Sequence, residues 1–252
     1  MFSMRKNSYK FLLLALVCMM VSCKQNQVPD GQNQQANTPV FVNITDVVPD
    51  AILEIRYFGT YNFVGTRIDG YEQPTALLCR EAADSLLAVS NDLKAQGYRL
   101  KIYDAYRPQR AVDHFVRWGK DLGDTLMRTY FYPQVEKKDL FVKGYIAEQS
   151  GHSRASTVDL TIFDMRTEKE VDMGGTFDWF GKESHPDCGG DPETGVYRQN
   201  DTITATQFAN RMILREAMLR HGFKPYDCEW WHFTLKNEPY PDTYFDIPVR
   251  EL

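Results

Sequence analysis

The sequence predicts an α+β fold with a mainly antiparallel central sheet and flanking helices, and two observations support this prediction. Apolar residues make up 43% of the 252 residues, which is enough for a sizeable core. Strand-like and helix-like segments follow one another without the steady alternation that is typical of βαβ units. The sequence shows no internal repeat and no second linker after residue 38, so we expect one domain over residues 39–252.

Four segments have the pattern of β-strands. Residues 52–57 (ILEIRY) alternate apolar and charged side chains, as a half-buried strand does. Residues 99–106 (RLKIYDAY), 158–163 (VDLTIF) and 229–235 (EWWHFTL) are rich in apolar, β-branched and aromatic side chains. We expect these four segments to supply the main strands of the sheet.

Three segments have helical patterns. Residues 75–96 place apolar side chains at helical spacing. Pro108 stands where a second helix can start, because proline is tolerated at the first helical position. Thr204 and Gln207 form a capping-box pattern that opens a third helix, and Gly222 closes it just after residue 221.

The N-terminus has the features of an export signal. Arg5, Lys6 and Lys10 precede the apolar run FLLLALVCMMVS, which is too short to span a bilayer and fits a signal peptide over residues 1–22. The run ends in MVSC, which resembles a lipobox, so Cys23 is predicted to carry a lipid after cleavage. An exported protein anchored to a bacterial membrane by this lipid is therefore expected; an ordinary secreted protein and an uncleaved anchor are the alternatives.

Residues 23–38 are predicted to be a disordered tether. Eight of residues 24–38 are Asn or Gln and none is aromatic, so the segment cannot bury enough apolar area to order itself. Removal of residues 1–22 leaves 26 basic against 34 acidic residues, a net charge of −8. This charge excludes nucleic acid as an expected partner, because phosphate binding needs a basic face.

The cysteines allow one disulfide at most in the predicted mature domain. Cys79, Cys188 and Cys228 remain there, an odd number, so one disulfide and one free thiol is an available arrangement. Cys188 and Cys228 both flank candidate site segments and are the preferred pair. The sequence contains no CxxC spacing, which argues against a cysteine-rich zinc site.

Two polar motifs could form a catalytic zinc site, which needs three nitrogen or oxygen ligands and one open position. GHSRASTVDLTI contains His152 and Asp159, and CEWWHF contains Glu229 and His232. Residues seven apart face opposite sides of a straight strand, so His152 is expected in the turn before the strand and Asp159 on it. Glu229 is expected in the turn that leads into the WWHF strand, where it reaches a water molecule instead of the metal.

Besides a metal ion, hydrolysis of an amide needs a group that carries protons and a positive charge that stabilises the oxyanion. Glu229 could take a proton from water and return it to a leaving amine. Arg107, which follows a predicted strand and precedes a rigid proline, could stabilise an oxyanion. Taken singly, His152 could be an ordinary loop residue and Asp159 a turn cap, and His185 is an alternative ligand.

The ordered motifs together are more specific than any single residue. S-x-H-x₆-D, a later E-x-x-H and an upstream YRP resemble the VanX-type D-alanyl-D-alanine dipeptidases, zinc peptidases related to the DD-carboxypeptidases and the Hedgehog signalling domain. The similarity runs from about residue 52 to the C-terminus. It includes RYFGTYNFVG, YDAYRP, SGHSRASTVDLT, FDWF, EWWHF and EPYPDTYFDIPV.

The resemblance implies the same central roles as the residue chemistry. It implies one zinc ion (Zn²⁺) per chain, held by His152, Asp159 and His232. It also implies Glu229 as the catalytic acid and base and Arg107 as the stabiliser of the transition state.

The resemblance further implies a set of residues that bind the two ends of the substrate. By motif position these are Tyr57, Tyr71, Ser150 and Asp178. Asp178 would suit a free ammonium group, and Ser150 a carboxylate or carbonyl group. The lipobox and the segment PDCGGDPETG depart from the pattern of the family, which leaves its usual cytoplasmic address and the substrate length open.

The expected function is zinc-dependent hydrolysis of D-Ala-D-Ala, a small D-amino-acid dipeptide, in cell-wall peptide turnover. One alternative is a DD- or LD-carboxypeptidase that acts on peptidoglycan stem peptides. A second is a zinc-containing module that binds peptidoglycan without cleaving it.

Overall fold

The computed structural model describes residues 41–252, which belong to one compact unit. The predicted signal peptide, Cys23 and the predicted tether lie outside the described residues. The strands and α-helices in chain order are β1 (Phe41–Asn43), α1 (Ile44–Val47), β2 (Ile52–Leu53), β3 (Leu77–Cys79), α2 (Arg80–Ala95), β4 (Tyr98–Asp104), α3 (Gln109–Lys120), α4 (Arg128–Phe131), β5 (Thr157–Asp164), β6 (Lys169–Glu170), β7 (Gly190–Asp191), β8 (Val196–Tyr197), α5 (Ala205–Arg220), β9 (Phe223–Tyr226) and β10 (Glu229–Leu235). Short 3₁₀ helices cover Lys137–Asp139, Gly151–Arg154 and Lys182–Ser184.

A six-stranded sheet forms the centre of the described fold. Its strand order is β2-β4-β5-β10-β9, and β6 pairs with the end of β5. The α+β class is confirmed, but the prediction of a mainly antiparallel sheet needs correction, because the sheet is mixed. β2 runs parallel to β4, while the other neighbours are antiparallel. The parallel pair arises because the chain crosses over through α2 between these two strands.

The first predicted helix is shorter than its pattern suggested. It begins at Arg80, because Leu77–Cys79 form β3 and pair with β1 instead. All three residues of β3 are fully buried, so their apolar pattern fits a strand as well as a helix. The first predicted strand is also shorter, since only Ile52–Leu53 of residues 52–57 form β2.

The other two predicted helices begin where the sequence indicated. α3 starts at Gln109, directly after Pro108. α5 opens with the predicted capping box, in which Gln207 N–H donates to Thr204 Oγ1 (3.3 Å) and Thr204 N–H donates to Gln207 Oε1 (2.8 Å). These signals are local in sequence, which is why they hold without knowledge of the tertiary structure.

Strand β5, which contains Asp159, is buried on both faces. Val158, Leu160 and Ile162 are inaccessible on one face, and Thr157, Asp159 and Thr161 are equally buried on the other. A register shift near the end of β4 places Asp104 opposite Asp159, and β10 places His232 on the other side of Asp159. Asp104, Asp159 and His232 thus lie in one row across β4, β5 and β10.

The irregular segment after β2 is organised by one buried amide. The Asn62 side chain is inaccessible to solvent. Its oxygen accepts the N–H groups of Val64 and Gly65, and its nitrogen donates to the carbonyl oxygens of Gly59 and Thr66. These bonds fix a loop that contains no helix or strand. The Asn62 nitrogen also donates to the carbonyl oxygen of Arg56 (3.3 Å), the residue before Tyr57, which lines the site described next.

Candidate metal centre

His152, Asp159 and His232 converge on one point. The atom His152 Nε2 lies 3.1 Å from Asp159 Oδ2 and 3.2 Å from His232 Nδ1. His232 Nδ1 lies 3.0 Å from Asp159 Oδ1. The structure therefore brings together the three residues that the sequence predicted as ligands.

The turn before β5 presents His152, as predicted. Ser150 Oγ accepts the N–H of His152 (3.3 Å) at the start of the 3₁₀ helix, and Ala155 ends it in the left-handed region with φ of 61°. A side chain at Gly151 would lie 3.1 Å from Thr157 Oγ1, so the tight packing of this turn favours glycine.

A backbone carbonyl fixes the orientation of the His152 ring. His152 Nδ1 lies 2.6 Å from the carbonyl oxygen of Ala105, which can only accept a hydrogen bond. Nδ1 must therefore carry the proton, and the lone pair of Nε2 points towards Asp159 and His232. Metal-binding histidines are commonly oriented by such a bond from their second nitrogen.

The donor set fits a single tetrahedral cation. Ligand atoms at zinc–nitrogen distances of 2.0–2.1 Å would be separated by about 3.3 Å in a tetrahedron. The separations among His152, Asp159 and His232 are 3.0–3.2 Å. In addition, buried Asp159 Oδ1 accepts no hydrogen bond among residues 41–252, although His232 Nδ1 lies 3.0 Å from it, and an oxygen free of donors is available to a cation.

Asp159 and the neighbouring His232 change each other's pKa. Burial would raise the pKa of Asp159, but the adjacent His152 and His232 outweigh burial and hold this pKa well below its usual range. Burial opposes protonation of His232, yet Asp159 and Glu229 raise the pKa of His232 to about 9. The carboxylate is thus ionised and available to a cation.

Glu229 stands beside the three converging residues, but not where the sequence placed it. It is the first residue of β10 and does not lie in the turn before the strand. Four steps along β10, from Glu229 to Phe233, correspond to one step along β9, from Tyr226 to Pro225. This bulge lets residues three apart share one side, and Glu229 Oε2 lies 3.4 Å from His232 Nδ1.

Arg107 is held by a residue that the sequence analysis missed. Its Nε donates to Asp104 Oδ2 (2.9 Å), and its Nη2 lies 3.5 Å from Asp159 Oδ2. Its guanidinium group also lies 5.0 Å from the centre of the Tyr57 ring. Asp104 belongs to the same YDAYRP motif, and its place at the end of a strand, three residues before the arginine, was the signal that could have identified it.

Tyr71 does not line the cavity in the described part of the chain. Its hydroxyl donates to Asp104 Oδ1 (2.6 Å), so in this structure it supports the carboxylate that holds Arg107. The other eight predicted site residues line one cavity of about 340 Å³. Direct contact between Tyr71 and a substrate stays a prediction.

Asp178 is the unusual carboxylate of this cavity. Both of its oxygens accept the Tyr57 hydroxyl, at 3.0 and 3.1 Å, and no cation lies within ion-pair distance of it among residues 41–252. Its exposed fraction is 7% and its φ is 61°, in the left-handed region. Burial raises the pKa of Asp178 well above its usual value, although Arg107 opposes this shift.

The predicted disulfide is wrong, and the alternative ligand lies elsewhere. Cys188 and Cys228 are both free thiols. Cys188 is buried against Thr202 Oγ1 (2.9 Å), while Cys228 is exposed. His185 does not belong to the His–Asp–His group. Cys188 and Cys228 both flank candidate site segments in the sequence, but they do not bond to each other in the structure.

A largely buried His–Asp–His group, a carboxylate beside it and an arginine held by a buried aspartate are the components of a metallopeptidase site on an α+β domain. The chain belongs to the D-ala-D-ala dipeptidase family (Peptidase_M15), whose profile matches residues 36–250.

Three relatives illustrate the similarity. A D-alanyl-D-alanine dipeptidase of Enterococcus faecium is 36% identical over 210 residues, covering 83% of this chain and 98% of the relative. One from Enterococcus faecalis is 37% identical over 209 residues with the same coverage, 83% and 98%. One from Streptomyces coelicolor is 36% identical over 209 residues, again covering 83% and 98%.

Alanine substitutions should separate the metal ligands from their neighbours. We expect His152→Ala, Asp159→Ala and His232→Ala each to lower the bound zinc well below about one ion per chain, because each removes a direct ligand. Glu229→Ala should retain the metal. His185→Ala is the matched control for loss of a histidine. Atomic absorption on one batch of purified variants measures all five, and a zinc-free Glu229→Ala protein would show that Glu229 is itself a ligand.

Proposed function

We propose that this protein is a zinc-dependent dipeptidase that hydrolyses the D-Ala-D-Ala dipeptide. The observation that carries the proposal is a buried carboxylate without a cation, Asp178, in the same cavity as the His–Asp–His group. A substrate with a free amino terminus would supply the missing positive charge. The names of the relatives, all D-alanyl-D-alanine dipeptidases, support the choice of substrate.

The ligand chemistry supports zinc as the cofactor. His152, Asp159 and His232 would hold the ion, two through nitrogen and one through a carboxylate oxygen. A zinc ion held by these residues supplies Lewis acidity and lowers the pKa of a water molecule.

Two side chains of the protein would carry the remaining chemistry. The Glu229 carboxylate faces the cavity beside His232, where it can take a proton from the attacking water and deliver it to the leaving amine. Arg107 is kept in place by Asp104 and lines the same cavity, where it can stabilise negative charge on the scissile carbonyl oxygen.

The two ends of the dipeptide would be bound at different places. The Asp178 carboxylate would bind the ammonium group of the dipeptide, and the Tyr57 hydroxyl would keep the Asp178 carboxylate in place. Ser150, at the start of the 3₁₀ helix, would contact the carboxylate or carbonyl end. An N-acylated stem peptide brings no positive charge to Asp178, so this arrangement favours a dipeptidase over a carboxypeptidase.

The finer fold assignment and the cellular address belong to the same proposal. Membership of the family supports a fold shared with the DD-carboxypeptidases and the Hedgehog domain. The basic and apolar N-terminal segment and the MVSC sequence support export and a lipid on Cys23. No helix within residues 41–252 is long and apolar enough to cross a membrane. Exported enzyme would meet cell-wall fragments.

Loss of the proton carrier should slow turnover strongly while the metal stays bound. We expect Glu229→Ala to lower kcat by about 10²-fold or more, and Arg107→Ala to lower mainly kcat by a similar factor, about 10²-fold. Steady-state rates on D-Ala-D-Ala, with zinc content measured in parallel, test both roles. A wild-type protein that holds zinc and cleaves neither the free dipeptide nor a stem peptide would indicate a binding module instead.

The free amino terminus should decide which peptides are cleaved. We expect Asp178→Asn to lower kcat/KM for D-Ala-D-Ala by about 10²-fold, because a buried ion pair with the substrate is lost. The rate on N-acetyl-D-Ala-D-Ala should barely change. Asp187→Asn is the matched control, since Asp187 is an exposed carboxylate nearby in the sequence. Faster cleavage of the acetylated peptide by the wild type would favour the carboxypeptidase alternative.

Replacement of Cys23 should release the protein from the membrane. In a bacterial host that processes lipoproteins, the full chain should be found in the membrane fraction, and its mature N-terminus should be a lipidated Cys23. Cys23→Ser should remove the lipid, while Cys18→Ser, within the signal segment, should not. Fractionation and mass spectrometry of the N-terminal peptide measure this, and a wild-type protein with an unmodified Cys23 would refute it.

A further inference from the structure

Arg211 is a buried cation that bonds only to backbone carbonyl groups. It projects from α5 with an exposed fraction of 2%. Its Nε donates to the carbonyl oxygen of Met173 (2.6 Å), Nη2 to that of Glu183 (2.6 Å), and Nη1 to that of His185 (3.0 Å). No carboxylate lies within ion-pair distance of it among residues 41–252. Burial lowers the pKa of Arg211 to about 10, which leaves it charged at neutral pH.

The three carbonyl groups lie on both sides of the segment that carries Asp178. Met173 precedes this segment, and Glu183 and His185 follow it. One guanidinium group therefore ties the two ends of residues 174–182 together. The ends approach closely, because a Cβ atom at Gly175 would lie 2.8 Å from the carbonyl oxygen of Glu183.

The middle of this segment needs such support. Asp178 has a positive φ of 61°, which costs energy for a residue with a side chain and persists only where the surroundings enforce it. Its side chain is bonded to Tyr57 alone in the described structure. Trp179 Nε1 donates to Glu183 Oε2 (2.9 Å), so the middle of the segment is bonded to Glu183, the same residue whose carbonyl group Arg211 holds.

Arg211 acts at a distance from the reacting atoms. It does not line the cavity that contains Asp178 and the His–Asp–His group. Its guanidinium group lies 5.5 Å from the centre of the Trp230 ring, on the neighbouring part of β10. The hydrogen bonds of Arg211 all go to the backbone on either side of residues 174–182, so its direct connection to the cavity runs through this segment.

We infer that Arg211 is a positioning residue that sets the Asp178 carboxylate for the ammonium group of the substrate. It thereby controls how strongly the enzyme prefers a free dipeptide to one with a blocked amino terminus. This inference rests on the proposed function. A lysine at position 211 could not reproduce this arrangement. Its single ammonium nitrogen would have to replace three guanidinium nitrogens, each of which bonds to a different carbonyl group.

The decisive variant is Arg211→Met, made in the full chain. We expect KM for D-Ala-D-Ala to rise about tenfold with kcat little changed, because a displaced carboxylate weakens binding more than chemistry. Activity on N-acetyl-D-Ala-D-Ala and the zinc content should stay at wild-type values. The ratio of kcat/KM for the free and the blocked peptide should thus fall about tenfold.

Arg215→Met is the matched control. Arg215 lies one turn further along α5, has an exposed fraction of 6%, and donates to the carbonyl oxygen of Pro192 (3.1 Å) and to Glu193. It removes a buried arginine from the same helix without touching residues 173–185. We expect its ratio for free and blocked peptide to match the wild type.

A double variant shows whether Arg211 acts through Asp178. In the Asp178→Asn background, Arg211→Met should produce no further fall in the ratio. An equal loss on both peptides, a loss of zinc, or a full additional fall in the double variant would overturn the inference. So would an unchanged ratio in Arg211→Met.

The Arg211→Lys variant and the turnover of the wild type distinguish failure of this inference from failure of Arg211→Met to fold and from failure of the proposed function. If Arg211→Met does not fold, Arg211→Lys replaces it; a reduced ratio supports the inference and a wild-type ratio overturns it. The proposed function is tested by the wild type alone, through its turnover of the free dipeptide. Its failure is therefore visible before any Arg211 variant is compared.

Discussion

The site depends on the ionised carboxylate of Asp159, which is buried on the central strand of the sheet. A charge with an exposed fraction of 1% requires partners, because its desolvation is costly without them. His152, His232 and Arg107 provide them from a turn, from β10 and from the segment after β4. These elements meet only when the sheet register is formed, so the fold and the electrostatics of the site are established together. A bound cation would share the same compensating role.

Three buried carboxylates in this region differ mainly in their partners, and the partners explain their different roles. Asp159 lies between two histidines and can hold a metal. Asp104 bonds to Arg107 and Tyr71, so it fixes the position of a positive charge. Asp178 bonds only to the neutral hydroxyl group of Tyr57, and burial raises its pKa because no cation of residues 41–252 lies within ion-pair distance to offset the burial of its charge. The surroundings of each aspartate thus explain why the proposed roles of the three side chains differ: metal ligand for Asp159, support for Asp104 and substrate recognition for Asp178.

Sequence patterns predicted the features that depend on neighbouring residues. The capping box of α5 and the turn that presents His152 are examples, since their hydrogen bonds join residues two or three positions apart. The patterns failed where distant segments compete for the same residues. Leu77–Cys79 form a strand because β1 pairs with them, and Cys188 and Cys228 stay apart although both flank the site.

The sequence by itself predicted which residues meet in the candidate site, because the types and order of His152, Asp159, Glu229 and His232 are those of a metal site with a nearby proton carrier. Only the tertiary structure decided how they meet. The bulge in β10 turns Glu229 and His232 to one side, and the crossover through α2 makes the sheet mixed. The crossover pairs β2 and β4, which are far apart in the chain, and the bulge arises from the pairing of β10 with β9. Hydrogen bonds between strands leave no trace in the local pattern of either strand.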